Sequence, residues 1–149
     1  MPPWHLKFYI CTMIYLTRHE HFNAAHKLSN PKWSKEKNEQ VFGKCANENW
    51  HGHNYELMIT VKGEVDPETG FIIDAKHLSW LITEHITEKL DHRNLNLDIP
   101  FLKDILPSTE NVAIAIWEQL EPHLPKNVKL HCVKLYETDR IGVEYFGGK

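Results

Sequence analysis

The segment from Tyr55 to Lys62 limits what this chain can fold into more than any other. Tyr55, Leu57, Ile59 and Val61 alternate with Glu56, Met58, Thr60 and Lys62, a period of two that suits a strand with one dry face and one wet face. A helix would scatter those four apolar side chains around its circumference. The strand therefore needs a sheet, and the sheet needs an apolar layer on one side only. Two later segments can supply it. Leu78, Leu81, Ile82, Ile86 and Leu90 form one stripe at helical spacing. A second helix is expected to start at Ser108, an N-cap after Pro107, with Glu110 in the dipole-favoured first turn. Its stripe is Val112, Ala113, Ile116, Trp117 and Leu120, and Pro122 and Pro125 mark its exit.

The other segments complete an α+β pattern. Lys7 to Phe22 reads as a first extended segment, rich in β-branched and aromatic residues. Ser29 to Gln40 is polar and lysine-rich, an exposed loop or short helix. Asp66 to Gly70 is a turn, and Phe71 to Asp74 is expected to return as a short strand. Val128 to Glu137 and Ile141 to Phe146 form a hairpin around Thr138-Asp139-Arg140. With the short return set aside, the order is β-β-α-α-β-β, an antiparallel four-stranded sheet with helices on one face. Such a sheet has two open edges, through which subunits can assemble. With 149 residues, a single domain over 1–149 is expected.

Composition removes several classes. The hydrophobic fraction is 42% and the charged fraction 25%, ordinary globular usage. Net charge is −3 with the basic residues scattered, so a nucleic-acid partner, which needs a basic stripe, is not expected. The longest apolar stretch, Phe8 to Leu16, is broken by Thr12 and falls far short of the roughly 20 residues that span a bilayer, so no membrane association is expected. Ala24-Ala25 resembles a cleavage site, but Arg18-His19-Glu20-His21 separates it from the apolar stretch, which argues against a secretory signal. Cys11, Cys45 and Cys132 are odd in number and show no repeated spacing. A disulfide framework is therefore not expected, and a reducing, cytoplasmic setting is.

What is unusual is histidine, 11 residues without any His-rich tract. His51 and His53 lead directly into the alternating strand and share parity with Tyr55 and Leu57. Both imidazoles should project over the mouth of the apolar face, a poor place for protons and a good one for zinc, which prefers neutral imidazole. The plain alternative for such an H-x-H pair is a solvated strand end. Candidates for a third ligand are His26, which ends Phe22-Asn23-Ala24-Ala25-His26, and the rival pair His19 and His21. The small residues 24 and 25 would let a neighbouring backbone approach closely.

Three further groups carry chemistry. Cys45 lies in a Gly-containing, basic loop, Phe42-Gly43-Lys44-Cys45, where a nearby cation or metal would favour the thiolate. Cys11 and Cys132 read as small hydrophobes. Asp91-His92, just past the first helix, is either a helix cap with a surface histidine or a proton relay in which the carboxylate orients the imidazole. Glu137, last on a strand face after Val133 and Leu135, is either a hairpin-end carboxylate or a pocket-floor acceptor for two N–H groups of a guanidine-like edge.

The elements FNAAH, GKC-x5-HGHNY, LDHRNLN, STENVA and YET occur in order from about Phe22 to Phe146. Together they resemble the 6-pyruvoyl-tetrahydropterin synthase family. That resemblance implies the tunnelling fold, in which subunits join their sheets into a trimeric barrel and two trimers stack as a homohexamer with active sites between subunits. It implies that His26, His51 and His53 hold a catalytic zinc ion, which demotes His19 and His21. Cys45 would be the general base, with Asp91 and His92 as its relay. Glu137 would anchor the pterin ring, with Ser108 and Thr109 helping to hold it. The implied reaction converts 7,8-dihydroneopterin triphosphate to 6-pyruvoyl-tetrahydropterin with loss of triphosphate and no external redox cofactor.

Related 6-carboxytetrahydropterin synthases of queuosine biosynthesis share zinc, fold and substrate but place the cysteine about three residues before H-G-H. Five residues separate Cys45 from His51 here, the pyruvoyl-type spacing. Trp50 departs from the small residue usual at its position. A non-catalytic pterin- or zinc-binding protein on this fold is a third possibility, opposed by the lack of an evident fourth protein ligand for a closed structural site.

Overall fold

A computed structural model of the chain describes residues 13–148. The Lys7–Thr12 part of the first extended segment, most of the apolar stretch Phe8 to Leu16, and Cys11 lie outside the described residues. Strand β1 (Met13–His26) and strand β2 (His51–Glu64) are both 14 residues long and pair antiparallel from Met13↔Glu64 to His26↔His51. Between them lie helix α1 (Lys35–Phe42), a 3₁₀ turn at Gly43–Ala46 and the tight turn Asn47 to Trp50. After β2 come α2 (Ala75–Ile82), a π-turn at Thr83–Thr87 and the short α3 (Glu88–Leu90). β3 (Arg93–Asn94), α4 (Thr109–Leu120), β4 (Val128–Thr138) and β5 (Ile141–Tyr145) complete the chain. The sheet order is β3-β1-β2-β4-β5.

The α+β class and the four long strands are as expected, but the sheet has five strands. The addition is β3, two residues that pair parallel with Ala24 and Ala25. No hydrophobic alternation marks so short a strand. It forms because the chain leaving α3 is tied to β1 by His92 N–H to Asn23 O and Leu95 N–H to Ala25 O. A second correction concerns Phe71 to Asp74, which is not a strand. Ile72 and Ile73 are buried in a bent segment, and Asp74 serves as the N-cap of α2 by accepting the Lys76 N–H. Replacing Asp74 with Ala should cost about 1 kcal/mol of stability. For a chain of this size that is a fall of roughly 2–4 °C in melting temperature, checked by thermal denaturation; an unchanged midpoint would contradict the cap.

The alternating strand packs as its sequence requires, with Tyr55, Leu57, Ile59 and Val61 fully buried. Burying each of their large side chains is worth about 1.5–3 kcal/mol. Over them lie the stripes of the two helical segments, whose ten apolar residues are all buried. Between Leu78 and Leu90, however, the helix is not uniformly α. The spacing of four in Leu78, Ile82, Ile86 and Leu90 exceeds the 3.6-residue turn, so the stripe would drift around an ideal helix. The wider turn at Thr83–Thr87 takes up that excess and keeps Ile86 and Leu90 on the sheet.

Strand β4 carries two register slips, and both bear on where Glu137 points. Thr60 pairs with Cys132 but Val61 with Leu130, so His131 is skipped. Buried parity therefore changes from Val128 and Leu130 to Val133 and Leu135. Without that slip, a strand burying Leu130 would turn Glu137 away from the helices. A second slip falls at Glu137 itself, which lies unpaired between Tyr136↔Gly142 and Thr138↔Ile141. Bulges of this kind re-aim a side chain beside a functional site.

Candidate metal centre

At the helix-facing end of β1 and β2, the paired residues His26 and His51 and the nearby His53 bring three imidazoles together. Their ring centroids are 4.6 Å (His26–His51), 5.1 Å (His26–His53) and 4.8 Å (His51–His53) apart. Gly52 between the two β2 histidines sits where an added Cβ would lie 3.3 Å from the Ala24 carbonyl oxygen. The close backbone approach expected at the small residues 24 and 25 is thus present, with glycine as the facing residue.

The parity switch in β4 delivers Glu137 to the same point. One potential ligand atom from each of His26, His51, His53 and Glu137 lies within 4.8 Å of the others. Glu137 Oε1 is 2.8 Å from His53 Nε2 and 3.7 Å from His26 Nε2, and its other oxygen accepts a hydrogen bond from the Thr109 hydroxyl. The carboxylate therefore stands as a possible fourth ligand, whereas the sequence reading expected Glu137 to be a catalytic and substrate-binding residue, with a hairpin-end carboxylate as the alternative, and not a metal ligand. A signal was available in principle: Glu137 has the inward parity of Val133 and Leu135.

The donor atoms fit a cation better than they fit one another. His26 Nε2, both ring nitrogens of His51 and His53 Nε2 are buried without a hydrogen-bond partner; the His53 contact to Glu137 is short but not aligned for a hydrogen bond. Orphaned buried nitrogens are costly, and a metal ion would take one nitrogen from each ring, three of these four atoms. His26 is set for this role by its other nitrogen. A carbonyl can only accept, so Nδ1–H donates to Pro107 O at 2.8 Å, leaving the Nε2 lone pair facing the cluster. Such a partner fixes both tautomer and ring orientation.

Electrostatics act in the same direction. Burial pushes the His51 and His53 imidazoles below their ordinary range, and the neighbouring rings push them further. That favours the neutral, metal-binding form. A proton on the facing His26 nitrogen would hold the Glu137 carboxyl down to about 2, helped by the Thr109 hydroxyl against the opposing effect of burial, and a cation in the place of that proton would act in the same direction. At 3.7 Å, His26 acts on it as an electrostatic neighbour rather than a hydrogen-bond donor. Beneath the cluster, burial drives the Tyr55 phenol far upward, so it stays protonated. The exposures of His53 and Glu137, 18% and 17%, leave the cluster reachable from outside, unlike a sealed structural site.

The remaining expected residues fall at different distances. Cys45 is a free, half-buried cysteine on the Gly43–Ala46 turn, close enough to Tyr55 to perturb it, but outside the four-residue group. Its carbonyl accepts the Leu28 N–H, which ties the turn to the end of β1. Ser108 caps α4 through the Asn111 N–H, and Thr109 is buried against Glu137. Asp91 and His92 are paired at 2.8 Å, away from the four-residue group. The Asn23 N–H and the His92 ring hold the Asp91 carboxyl below its usual range. His92 opens onto a cavity of about 570 Å³ that Gly52, His53 and Asn54 also line. His19 sits on the opposite face of the sheet, paired with Glu56 at 2.6 Å, and neither it nor His21 belongs to the cluster.

Fold and site together define an α+β protein with a histidine-rich centre that could hold a metal ion. Comparison with known proteins narrows this. The model of the family described as 6-pyruvoyl tetrahydropterin synthase matches residues 15–148. The human 6-pyruvoyl tetrahydrobiopterin synthase is 45% identical over 132 residues, covering 89% of this chain and 90% of that protein. A solved structure of the Caenorhabditis elegans 6-pyruvoyl tetrahydropterin synthase superposes with a TM-score of 0.86 at 35% identity, covering 95% of this chain and all of the other. A dihydroneopterin monophosphate aldolase from Pyrococcus furiosus is 32% identical over 83% of this chain and 89% of its own length. The chain belongs to the 6-pyruvoyl tetrahydropterin synthase family.

Proposed function

We propose that this protein is a zinc-dependent carbon–oxygen lyase that converts 7,8-dihydroneopterin triphosphate to 6-pyruvoyl-tetrahydropterin with release of triphosphate. The observation that carries this reading is the set of convergent, unpartnered imidazole nitrogens of His26, His51 and His53. Three neutral nitrogen donors suit zinc rather than magnesium or calcium, which prefer oxygen. Zinc held there would supply Lewis-acid polarisation of the substrate's side-chain oxygens and acidify the adjacent C–H bond.

The chain's own residues divide the remaining work. Cys45 takes up the proton as its thiolate. Asp91 accepts from His92 Nδ1–H and leaves the opposite ring nitrogen to exchange protons; the Asn23 N–H keeps that carboxylate ionised and fixed. Glu137 receives the two N–H groups of the aminopyrimidine edge, and Thr109 orients it from below. Ser108, by capping α4, places Thr109 and stands beside the bound ring. A reducing, cytoplasmic compartment suits the thiol.

Assembly follows from the sheet. Among the described residues, the edge of β1 that faces away from β2, from Met13 to Asn23, and the outer edge of β5 have no strand partner. Pairing those edges between subunits would close a trimeric barrel, and two trimers would make the homohexamer. No nucleic-acid or membrane partner is proposed.

Product identification from purified protein and dihydroneopterin triphosphate tests the reading. The expected result is inorganic triphosphate released in step with a pyruvoyl pterin. A carboxy pterin plus acetaldehyde would assign the 6-carboxytetrahydropterin synthase activity instead, against the Cys45 spacing. The aldolase relative makes a third outcome concrete: aldol cleavage would leave the phosphates esterified to the departing fragment, so no inorganic triphosphate would appear.

A further inference from the structure

Lysine and asparagine side chains line a cavity of about 720 Å³ beside α1 and the Gly43–Ala46 turn, a volume within the range of small-ligand sites. Its position relative to the metal centre is set by the chain itself. Lys27 follows the ligand candidate His26, Lys44 and Ala46 flank Cys45, and Asn49 is two residues before His51. Three separate segments thus give one residue to the centre or its base and a near neighbour to the cavity wall.

The wall is built to receive negative charge. Among the described residues, neither Lys27 nor Lys44 has a carboxylate partner, whereas the third lysine, Lys35, is 3.9 Å from Glu39. Lys27 is instead held over the Trp50 ring at 4.6 Å, which orders a long side chain without neutralising it. Lys37 is occupied in the same way, 4.3 Å over Trp33, and does not line the cavity. Asn47 uses its side-chain oxygen on the Asn49 N–H, which leaves its amide N–H groups for a ligand. Two carboxylates also line the cavity, Glu39 facing Lys35 and Glu48, so anion binding relies on Lys27 and Lys44 acting together.

We infer that this cavity is the subsite for the substrate's triphosphate, with Lys27 and Lys44 as its cationic contacts and Asn47 as a neutral donor. The inference rests on the proposed dihydroneopterin triphosphate substrate in taking the ligand to be a triphosphate ester. In this arrangement the metal centre and the triphosphate lie on either side of the turn that carries Cys45. The cavity would then hold the leaving group while the thiolate acts beside the metal.

The test uses inorganic tripolyphosphate and three proteins: the parent chain, the double variant Lys27→Ala/Lys44→Ala, and Lys32→Ala as a control for general surface charge. Tripolyphosphate is expected to compete with dihydroneopterin triphosphate. The double variant should raise both its inhibition constant and the substrate KM about tenfold or more, the scale of losing a charged hydrogen-bond partner. Its bound zinc should change little, and Lys32→Ala should match the parent. Because tripolyphosphate also chelates zinc, calorimetric binding is repeated in the His51→Ala background. There it should persist, and it should vanish when Lys27 and Lys44 are also replaced. Equal affinity in the double variant, or inhibition that is not competitive, would overturn the subsite. If the protein released no triphosphate at all, the calorimetric arm would still decide whether the cavity binds the polyanion, so the two readings fail separately.

Discussion

Replacing His51 with Ala is expected to strip the metal from this protein while leaving its fold in place. Both ring nitrogens of His51 lack a protein partner, so the substitution orphans no buried group. His26 is a poorer probe, because this side chain is itself fully buried and its loss would leave the Pro107 carbonyl without its donor. Loss of even an outer-shell partner costs about 10–100-fold in metal affinity, so loss of a direct ligand should cost at least about 100-fold, with product formation falling at least as far. Elemental analysis gives the metal content, and thermal scans with and without added zinc give the linkage. The parent protein should gain stability on adding zinc, since a ligand at 100 times its Kd contributes about 2.7 kcal/mol; the variant should gain almost none. Full zinc occupancy in His51→Ala would remove the basis for the metal centre.

Cys45→Ala should separate holding the metal from using it. The thiol lies outside the four-residue group, so zinc content is expected to match the parent. Triphosphate release should fall by about 10²–10⁴, the usual contribution of a positioned proton-transfer group. The two measurements, elemental analysis and a triphosphate assay, give distinct readings. Zinc lost along with activity would make Cys45 a ligand. Zinc retained with an unchanged rate would exclude the thiolate as base and move attention to the Asp91–His92 pair.

Much of this architecture was legible because it rests on local periodicity. The alternation from Tyr55 to Val61 and the stripes through Leu90 and Leu120 each identified a buried face, and all those residues are buried. Ser108 was visible as a cap because the chemistry of an N-cap is confined to a few neighbouring residues. What was hidden depends on pairing between distant segments. The two-residue strand β3 exists only because β1 offers it hydrogen bonds. Ile72 and Ile73 looked like a strand because a short apolar run carries no period of its own. In the site, parity put His51 and His53 on the apolar face, and the resemblance supplied His26. The slip at His131, which leaves both Leu130 and Glu137 facing inward, arises from register and left no mark in composition. The Pro107 carbonyl that orients His26 was equally invisible, since a backbone acceptor carries no residue signature.

Trp50 illustrates how a local conformation limits future change. Its φ of +67° lies in the left-handed region, which costs a residue with a Cβ roughly 1–2 kcal/mol. It closes the Asn47–Trp50 turn directly before His51, and its indole carries the Lys27 ammonium. Most replacements would keep the backbone cost and discard the indole, whereas glycine alone removes that cost outright. Drift at this position therefore has a preferred direction, and a step toward glycine would exchange an ordered lysine beside the His51 strand end for a relaxed loop.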